Sequence, residues 1–415
     1  MMNDPARKIQ YGKAAVAIGL MAITTACETP KPPAAKPAPP APAIAKAPPS
    51  AAPASMPLAI KTEPQEGVTR ALTAVAWPDL PGWQQDNHAE ALPALLASCR
   101  VLAKQAAWRD ACEAAPAIKG REAAKLFFES QFTPYRVAAD DGAREGLITG
   151  YYEPTLRGSR KPSARNRFPI YAVPDDLLTL DFGDLAPELK STAPRARLDG
   201  KRVVPYYNRS QIESGAATVR GREIAWVDDG VELFFLQIQG SGRITLDDGT
   251  TMRVGFADHN GHPYRSIGRV LIDRGELPLE RTSMQGIKAW ARDNPAKLTE
   301  LLNQNPRFVF FRELAGNGDS PPGALGVPLT PQRSIAVDPR YVPLGAPVHI
   351  ATNWPNTDKP LQRLMLAQDT GGAIRGAVRA DFFWGSGEEA AREAGRMKQA
   401  LRMWVLLPKN IVQKQ

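Results

Sequence analysis

Residues 30–57 hold eleven prolines among alanines and lysines. Proline fixes φ and donates no backbone hydrogen bond, so this stretch can build neither a helix nor a ladder. With no apolar stripe it reads as an extended, partly polyproline tether. Any packed fold must therefore begin beyond it, near Val68. Ahead of the tether, Arg7, Lys8 and Lys13 precede an apolar run from Ala14 to Ala26 that ends in small residues. That order is the pattern of an export signal, and the run is too short to span a bilayer. Residues 1–26 are read as a signal peptide and 27–62 as the tether region.

Cys27 follows Thr24-Thr25-Ala26 directly, a pattern similar to a bacterial lipoprotein processing site, with Thr24 where a leucine is usual. Two outcomes stay open: lipidation of Cys27, which would hold the chain at a membrane, or simple cleavage of a secreted protein. Of the formal net charge of +9, residues 1–62 account for +5. The remainder, about +4, has no basic run with interleaved aromatics, so no nucleic-acid partner is expected. Cys99 and Cys112 in an exported chain form either a disulfide or two buried thiols on neighbouring helices. Four histidines and no Cys-x-x-Cys argue against a structural zinc site, His259 and His262 included, and no metal or other cofactor is expected.

Residues 89–135 have helical spacing, with Leu92, Leu95, Leu96 and Cys99 on one stripe. Strand patterns follow at Glu145–Pro154, Phe168–Val173, Glu223–Val227 and Arg243–Leu246, the last turning through Asp247-Asp-Gly-Thr250 into Met252–Val254. Leu233–Gln239 also reads as a strand, which puts Gln237 and Gln239 on one face. Helical spacing returns over 263–304. Strands resume at Arg307–Phe311, Ser334–Val337 and Pro347–Ile350, and a helix from Glu388 to about Lys398 precedes a last strand, Met403–Leu407.

The densest chemistry lies between Leu364 and Gly385. A short strand leads into Asp369-Thr-Gly-Gly, and Asp381 follows, beside Phe382, Phe383 and Trp384. Carboxylates work as acids and bases on glycosidic bonds, and aromatic faces stack on sugar rings. Asp-Thr-Gly-Gly by itself is also a common turn.

Three aspartates in one carboxy-terminal β region, Asp338, Asp369 and Asp381, resemble the three-aspartate domain, a double-psi β-barrel. Thr149-Gly-Tyr-Tyr-Glu-Pro154 and Phe235-Leu-Gln-Ile-Gln-Gly-Ser-Gly242 are similar to the rest of the membrane-bound lytic murein transglycosylase A family. The resemblance covers roughly residues 75–408. It implies a mainly β fold with peripheral helices. A double-psi barrel from residues 63–156 and 306–410 would carry an inserted β-barrel, 157–305, with a groove between them for a glycan strand. It implies cleavage of the β-1,4 bond between N-acetylmuramic acid and N-acetylglucosamine, leaving 1,6-anhydromuramic ends. Asp381 is the expected acid/base and Asp369 the second candidate, with the flanking aromatics expected to desolvate Asp381. Tyr151, Tyr152, Gln237, Gln239, Ser241, Arg243, Asp338 and Trp384 are the binding candidates, although adjacent Tyr151 and Tyr152 cannot both face the groove. The expected partners are peptidoglycan strands and, through Cys27, an outer-membrane surface facing the periplasm; a monomer is expected. An inverting hydrolase using Asp369 with Asp381, and a non-cutting wall-binding protein, are the competing readings.

Overall fold

The structure, a computed structural model, describes residues 72–182, 193–316 and 318–412. The signal, Cys27 and the tether fall outside the described residues. The chain opens with β1 (Leu72–Ala74), then α1 (Leu92–Leu102), α2 (Ala106–Ala114) and α3 (Arg121–Gln131), then β2 (Phe132–Val137) and β3 (Gly146–Glu153). Cys99 of α1 is bonded to Cys112 of α2, with Cα atoms 5.4 Å apart. Next come β4 (Thr155–Ser159), β5 (Phe168–Tyr171), β6 (Leu178–Thr179), β7 (Arg195–Asp199), β8 (Arg202–Pro205), α4 (Arg209–Glu213) and β9 (Glu223–Val227). They lead into α5 (Gly230–Gln239), β10 (Ser241–Leu246), β11 (Thr251–His259), α6 (Ile267–Asp273), α7 (Met284–Asp293), α8 (Leu298–Leu302) and β12 (Val309–Glu313). The chain closes with β13 (Ser334–Val337), β14 (Pro347–Asn353), β15 (Pro360–Asp369), β16 (Arg379–Ser386), α9 (Gly387–Arg396) and β17 (Lys398–Pro408).

Early and late strands share one sheet. Its pairing runs β17-β14-β15-β13-β16-β3, and β3 pairs back to β17, so six strands form a ring. β13 runs parallel to β15, and β16 parallel to β3; the other pairs in the ring are antiparallel. Alternate residues, Ile335 and Val337, Leu364 and Leu366, Phe382 and Trp384, are buried in one core. α9 packs against β3 so closely that a Cβ on Gly150 would sit 2.9 Å from the Ala394 Cα. A side chain at 150 would lift that helix away.

A second six-stranded sheet, ordered β12-β11-β10-β4-β9-β5, is built from the intervening residues. Ile170 of edge strand β5 and Phe311 of edge strand β12 bury in the same core as Leu156, Ile244 and Val254, so the sheet curls round that core. Helices α6 to α8 pack on α5 through Phe234, Leu271, Ile287 and Trp290. β6, β7 and β8 form a separate three-stranded sheet.

One expected strand is a helix. Leu233–Gln239 lies inside α5, capped by the Asp229 carboxylate, which accepts the Val231 and Glu232 N–H groups at 2.8 and 3.1 Å. Gly240 ends it with φ of 80°. Cap and terminator set the local geometry, and Leu233 and Leu236 bury in one core and Val231 and Phe234 in another, each pair at helical rather than alternating spacing. Gln237 and Gln239 therefore do not share a face: residues two apart on a helix point about 200° apart.

The amino-terminal segment is clasped to the ring by one buried cation. Both Arg333 Nη groups donate to the Asp86 carboxylate at 2.9 Å, and Arg333 also donates to Glu90 at 2.7 Å and to the Leu364 carbonyl at 2.9 Å. Burial pushes the Asp86 carboxyl up, but the Arg333 guanidinium and the Leu364 N–H more than reverse it and hold it below its ordinary value. The stabilisation is thus present at neutral pH and is lost as pH falls through the lowered Asp86 value. Arg333→Ala leaves Asp86 buried and unpaired, and chemical denaturation at pH 7 is expected to show a loss of about 3–5 kcal/mol.

Candidate active site

A single rung of paired residues crosses the ring. Ala336 on the central strand β13 pairs with Asp369 of β15 on one side and Asp381 of β16 on the other, and Asp381 pairs with Thr149 of β3. Paired residues point to the same face of a sheet, so all four side chains stand together. The two aspartates are two strand spacings apart, about 10 Å between Cα atoms. On the rung only the Ala336 methyl lies between them.

A bulge puts Asp369 there. Ile335 pairs with Ala367, but Ala336 pairs with Asp369, so Gln368 is the extra residue. Without it the alternation would bring Gln368 to that face and send Asp369 to the other. The buried Gln368 amide is fully used: its Nε2 donates to the Ala94 carbonyl at 2.8 Å and to Ser98 Oγ at 3.0 Å, while Ser334 Oγ donates to its Oε1.

Asp381 has one engaged oxygen. Thr149 Oγ donates to Oδ1 at 2.5 Å, and Arg379 Nη2 donates to the same Thr149 oxygen at 2.9 Å. Oδ2 accepts no hydrogen bond among the described residues. Burial raises this carboxyl, the Thr149 bond and the Arg379 charge oppose that, and the Asp369 charge adds to it; the result is about 6. Asp369 is also raised by burial, but its oxygens are occupied. Oδ1 accepts the Ala324 and Thr370 N–H groups, each at 2.9 Å, and Oδ2 accepts the Tyr151 hydroxyl at 2.9 Å. Burial and the Asp369 charge drive the Tyr151 phenol well above its ordinary value, so it stays a donor.

The surroundings of the rung are apolar. Tyr151 and Phe383 pair across β3 and β16 with ring centroids 5.1 Å apart, and they cluster with Ala336, Leu329 and Ile374. The loop 370–376 folds over this cluster through Ile374. Asp338 anchors the far end of the loop by accepting the Gly376 N–H at 2.8 Å, and it also accepts from Arg340.

Of the residues singled out from sequence, Asp381, Asp369 and Tyr151 meet at this rung. Tyr152 points to the opposite face, into the ring core, with its hydroxyl 3.1 Å from Met284 Sδ. Trp384 sits in that core too, packed on Phe382 and Trp354. Strand alternation is the reason: of the three aromatics after Asp381, only Phe383 shares its face. Phe382 and Trp384 therefore do not desolvate it from the cleft. Gln237 is buried and accepts from Arg209, while Gln239 Oε1 accepts the Tyr152 N–H at 3.1 Å. Arg243 is ion-paired at 2.8 Å with Glu153, and Ser241 opens β10 partly exposed. Sequence reasoning passed over Thr149, Arg379, Ala336 and Gln368. Thr149 and Arg379 were recoverable, since each lies two residues from a residue already singled out on its strand.

The pattern of the MltA specific insert domain matches residues 147–312, and that of the 3D domain matches residues 333–407. The membrane-bound lytic murein transglycosylase A of Vibrio cholerae is 31% identical over 286 residues, 67% of this chain and 70% of that protein. The crystal structure of MltA from Neisseria gonorrhoeae, monoclinic form, is 43% identical, superposes with a TM-score of 0.71, and covers 81% of this chain and 92% of that one. The crystal structure of E. coli MltA with bound chitohexaose is 28% identical, with a TM-score of 0.61 over 84% of this chain and 95% of that one. Among the described residues no helix is long and apolar enough to cross a membrane, although the curated relative is named membrane-bound. The two domain patterns and these relatives show that the chain belongs to the membrane-bound lytic murein transglycosylase A family and is a peptidoglycan lytic transglycosylase.

Proposed function

We propose that the chain cuts the β-1,4 bond between N-acetylmuramic acid and N-acetylglucosamine without water, closing the muramic residue into a 1,6-anhydro end, with Asp381 as the single acid and base. The observation that carries this is the contrast between the two carboxyls. Asp381 keeps Oδ2 open and holds its proton to about pH 6, whereas both oxygens of Asp369 are already bonded. A protonated Asp381 gives its proton to the leaving glycosidic oxygen. As a carboxylate it then takes the proton of the muramic C6 hydroxyl, whose oxygen forms the new bond to C1. Proton count balances and no second carboxyl is needed.

Asp369 accepts three hydrogen bonds where Asp381 accepts one, so it is the more committed carboxyl and the less suited to activating a water as the base of an inverting enzyme. Its carboxylate, held on the rung, suits the stabilisation of an oxocarbenium-like sugar. Thr149, tied to Arg379, holds Asp381 by one oxygen and leaves the other open. Chitohexaose bound to the E. coli relative supports a β-1,4 glycan as the occupant. The reading includes a lipid anchor at Cys27 in the outer membrane, a periplasmic enzyme, and action as a monomer.

Asp381→Asn removes the transferable proton while keeping the shape, so turnover of purified peptidoglycan is expected to fall by about a thousandfold or more with the strand still bound. Activity near normal in that variant contradicts the assignment. The raised carboxyl also sets a pH limb: kcat/KM is expected to fall as pH rises above about 6, where Asp381 gives up its proton. A carboxyl raised in the folded state costs stability once ionised, so the same variant is expected to be more stable at pH 7 by about 1–3 kcal/mol, read by denaturation. That difference should vanish toward pH 4.

A further inference from the structure

Two arginines, Arg307 and Arg375, meet at the loop 370–376, and among the described residues neither is in an ion pair. Arg307 comes from the segment entering β12, in the second lobe, and Arg375 from the loop itself. A Cβ built on Gly372 would lie 3.5 Å from Arg307 Nη2, an ordinary contact distance, which places the guanidinium against the loop backbone. Among the described residues its only side-chain hydrogen bond is a long one, from Nη1 to the His262 carbonyl at 3.5 Å. The nearby carboxylate, Asp258, is taken by Arg195 Nε, which reaches its two oxygens at 2.9 and 3.0 Å. Among the described residues neither Arg307 nor Arg375 has an acidic side chain within ion-pair distance. Burial and then the Arg375 charge push the Arg307 guanidinium below its ordinary value. Two like charges are thus held together, one half-buried and one exposed. Ile374, beside Arg375, belongs to the apolar cluster over the aspartate rung.

We infer that Arg307 and Arg375 form a clamp, one jaw from each lobe, for a carboxylate carried on the substituent arm of a muramic residue. Arginine pairs carboxylates through its fork of donors, and a site with two unpaired guanidinium groups favours an anion over a neutral group. The sugar backbone of peptidoglycan is uncharged. Its carboxylates hang from the muramic lactyl arm, either the lactyl carboxylate itself or those of an attached peptide. The clamp would fix which sugar sits over Asp381, because only alternate residues carry the arm. This rests on the reading that a peptidoglycan strand occupies the groove.

The test uses the full chain carrying Asp381→Asn, so that strands stay whole, and calorimetric titration with three preparations. These are peptide-bearing strands, strands stripped by an amidase to free the lactyl carboxylate, and stripped strands whose lactyl carboxylates are converted to methyl amides. Adding Arg375→Gln or Arg307→Gln is expected to raise Kd about tenfold for one or both anionic preparations and to leave the neutral one within about twofold. Weakening confined to peptide-bearing strands identifies a peptide carboxylate; weakening on stripped strands identifies the lactyl group. Equal weakening on all three, or none on either anionic preparation, overturns the clamp. Arg375 is exposed, so its variant reports even if Arg307→Gln fails to fold. Failure of the acid/base assignment shows itself elsewhere, as new chain ends made by the Asp381→Asn background.

Discussion

The site depends on register. Side chains alternate along a strand, so a slip of one residue moves a carboxylate from the cleft into the core. Here Ala336 fixes the position of both aspartates at once, as their shared neighbour in the ladder. The extra residue Gln368 is what brings Asp369 to the same side, and its buried amide would be costly if left unbonded. Ala94 and Ser98 of α1 and Ser334 of β13 meet that need. A helix far from the cleft in sequence thus sets the aim of a carboxylate within it. The Asp86–Arg333 clasp joins the segment ahead of that helix to the same strand region.

The electrostatics follow from the same placement. Burial alone raises both carboxyls, and the groups around them divide the outcome. Asp369 gains three donors, which suits a group that stays in place. Asp381 gains one hydroxyl and a charge relayed through it, which leaves an oxygen to exchange a proton. The raised value near 6 is a cost to the fold at neutral pH and is what the acid catalysis we propose for Asp381 requires. The fold tolerates it because the surrounding ring is packed with fully buried apolar residues such as Ile335, Phe382 and Val405.

Much of this was legible in the sequence. Period-two runs at Ser334–Val337 and Pro347–Ile350 marked ring strands, and the order of the three aspartates pointed to the fold. The pairing of early β3 with late β16 and β17 is a long-range contact that no local pattern encodes; it entered through family resemblance. The α5 error has a local cause. Leu-Phe-Phe-Leu-Gln-Ile-Gln has strong strand propensity, yet Asp229 and Gly240 at its ends are a cap and a terminator at helical spacing. Trp384 was misplaced for another reason: proximity in sequence was taken for proximity in the cleft, although alternation sends residue 384 to the opposite face from residue 381. The bulge at Gln368 left no readable trace, since it follows from the ladder of β13 with β15.

If Asp381 acts as we propose, a sugar hydroxyl, and not water, takes the bond that it breaks. Digestion of purified peptidoglycan in heavy-oxygen water, followed by mass analysis of the new ends, tests it directly. The account predicts ends free of the heavy isotope and lighter by one water than reducing ends. Heavy oxygen incorporated at the muramic C1 position would contradict it.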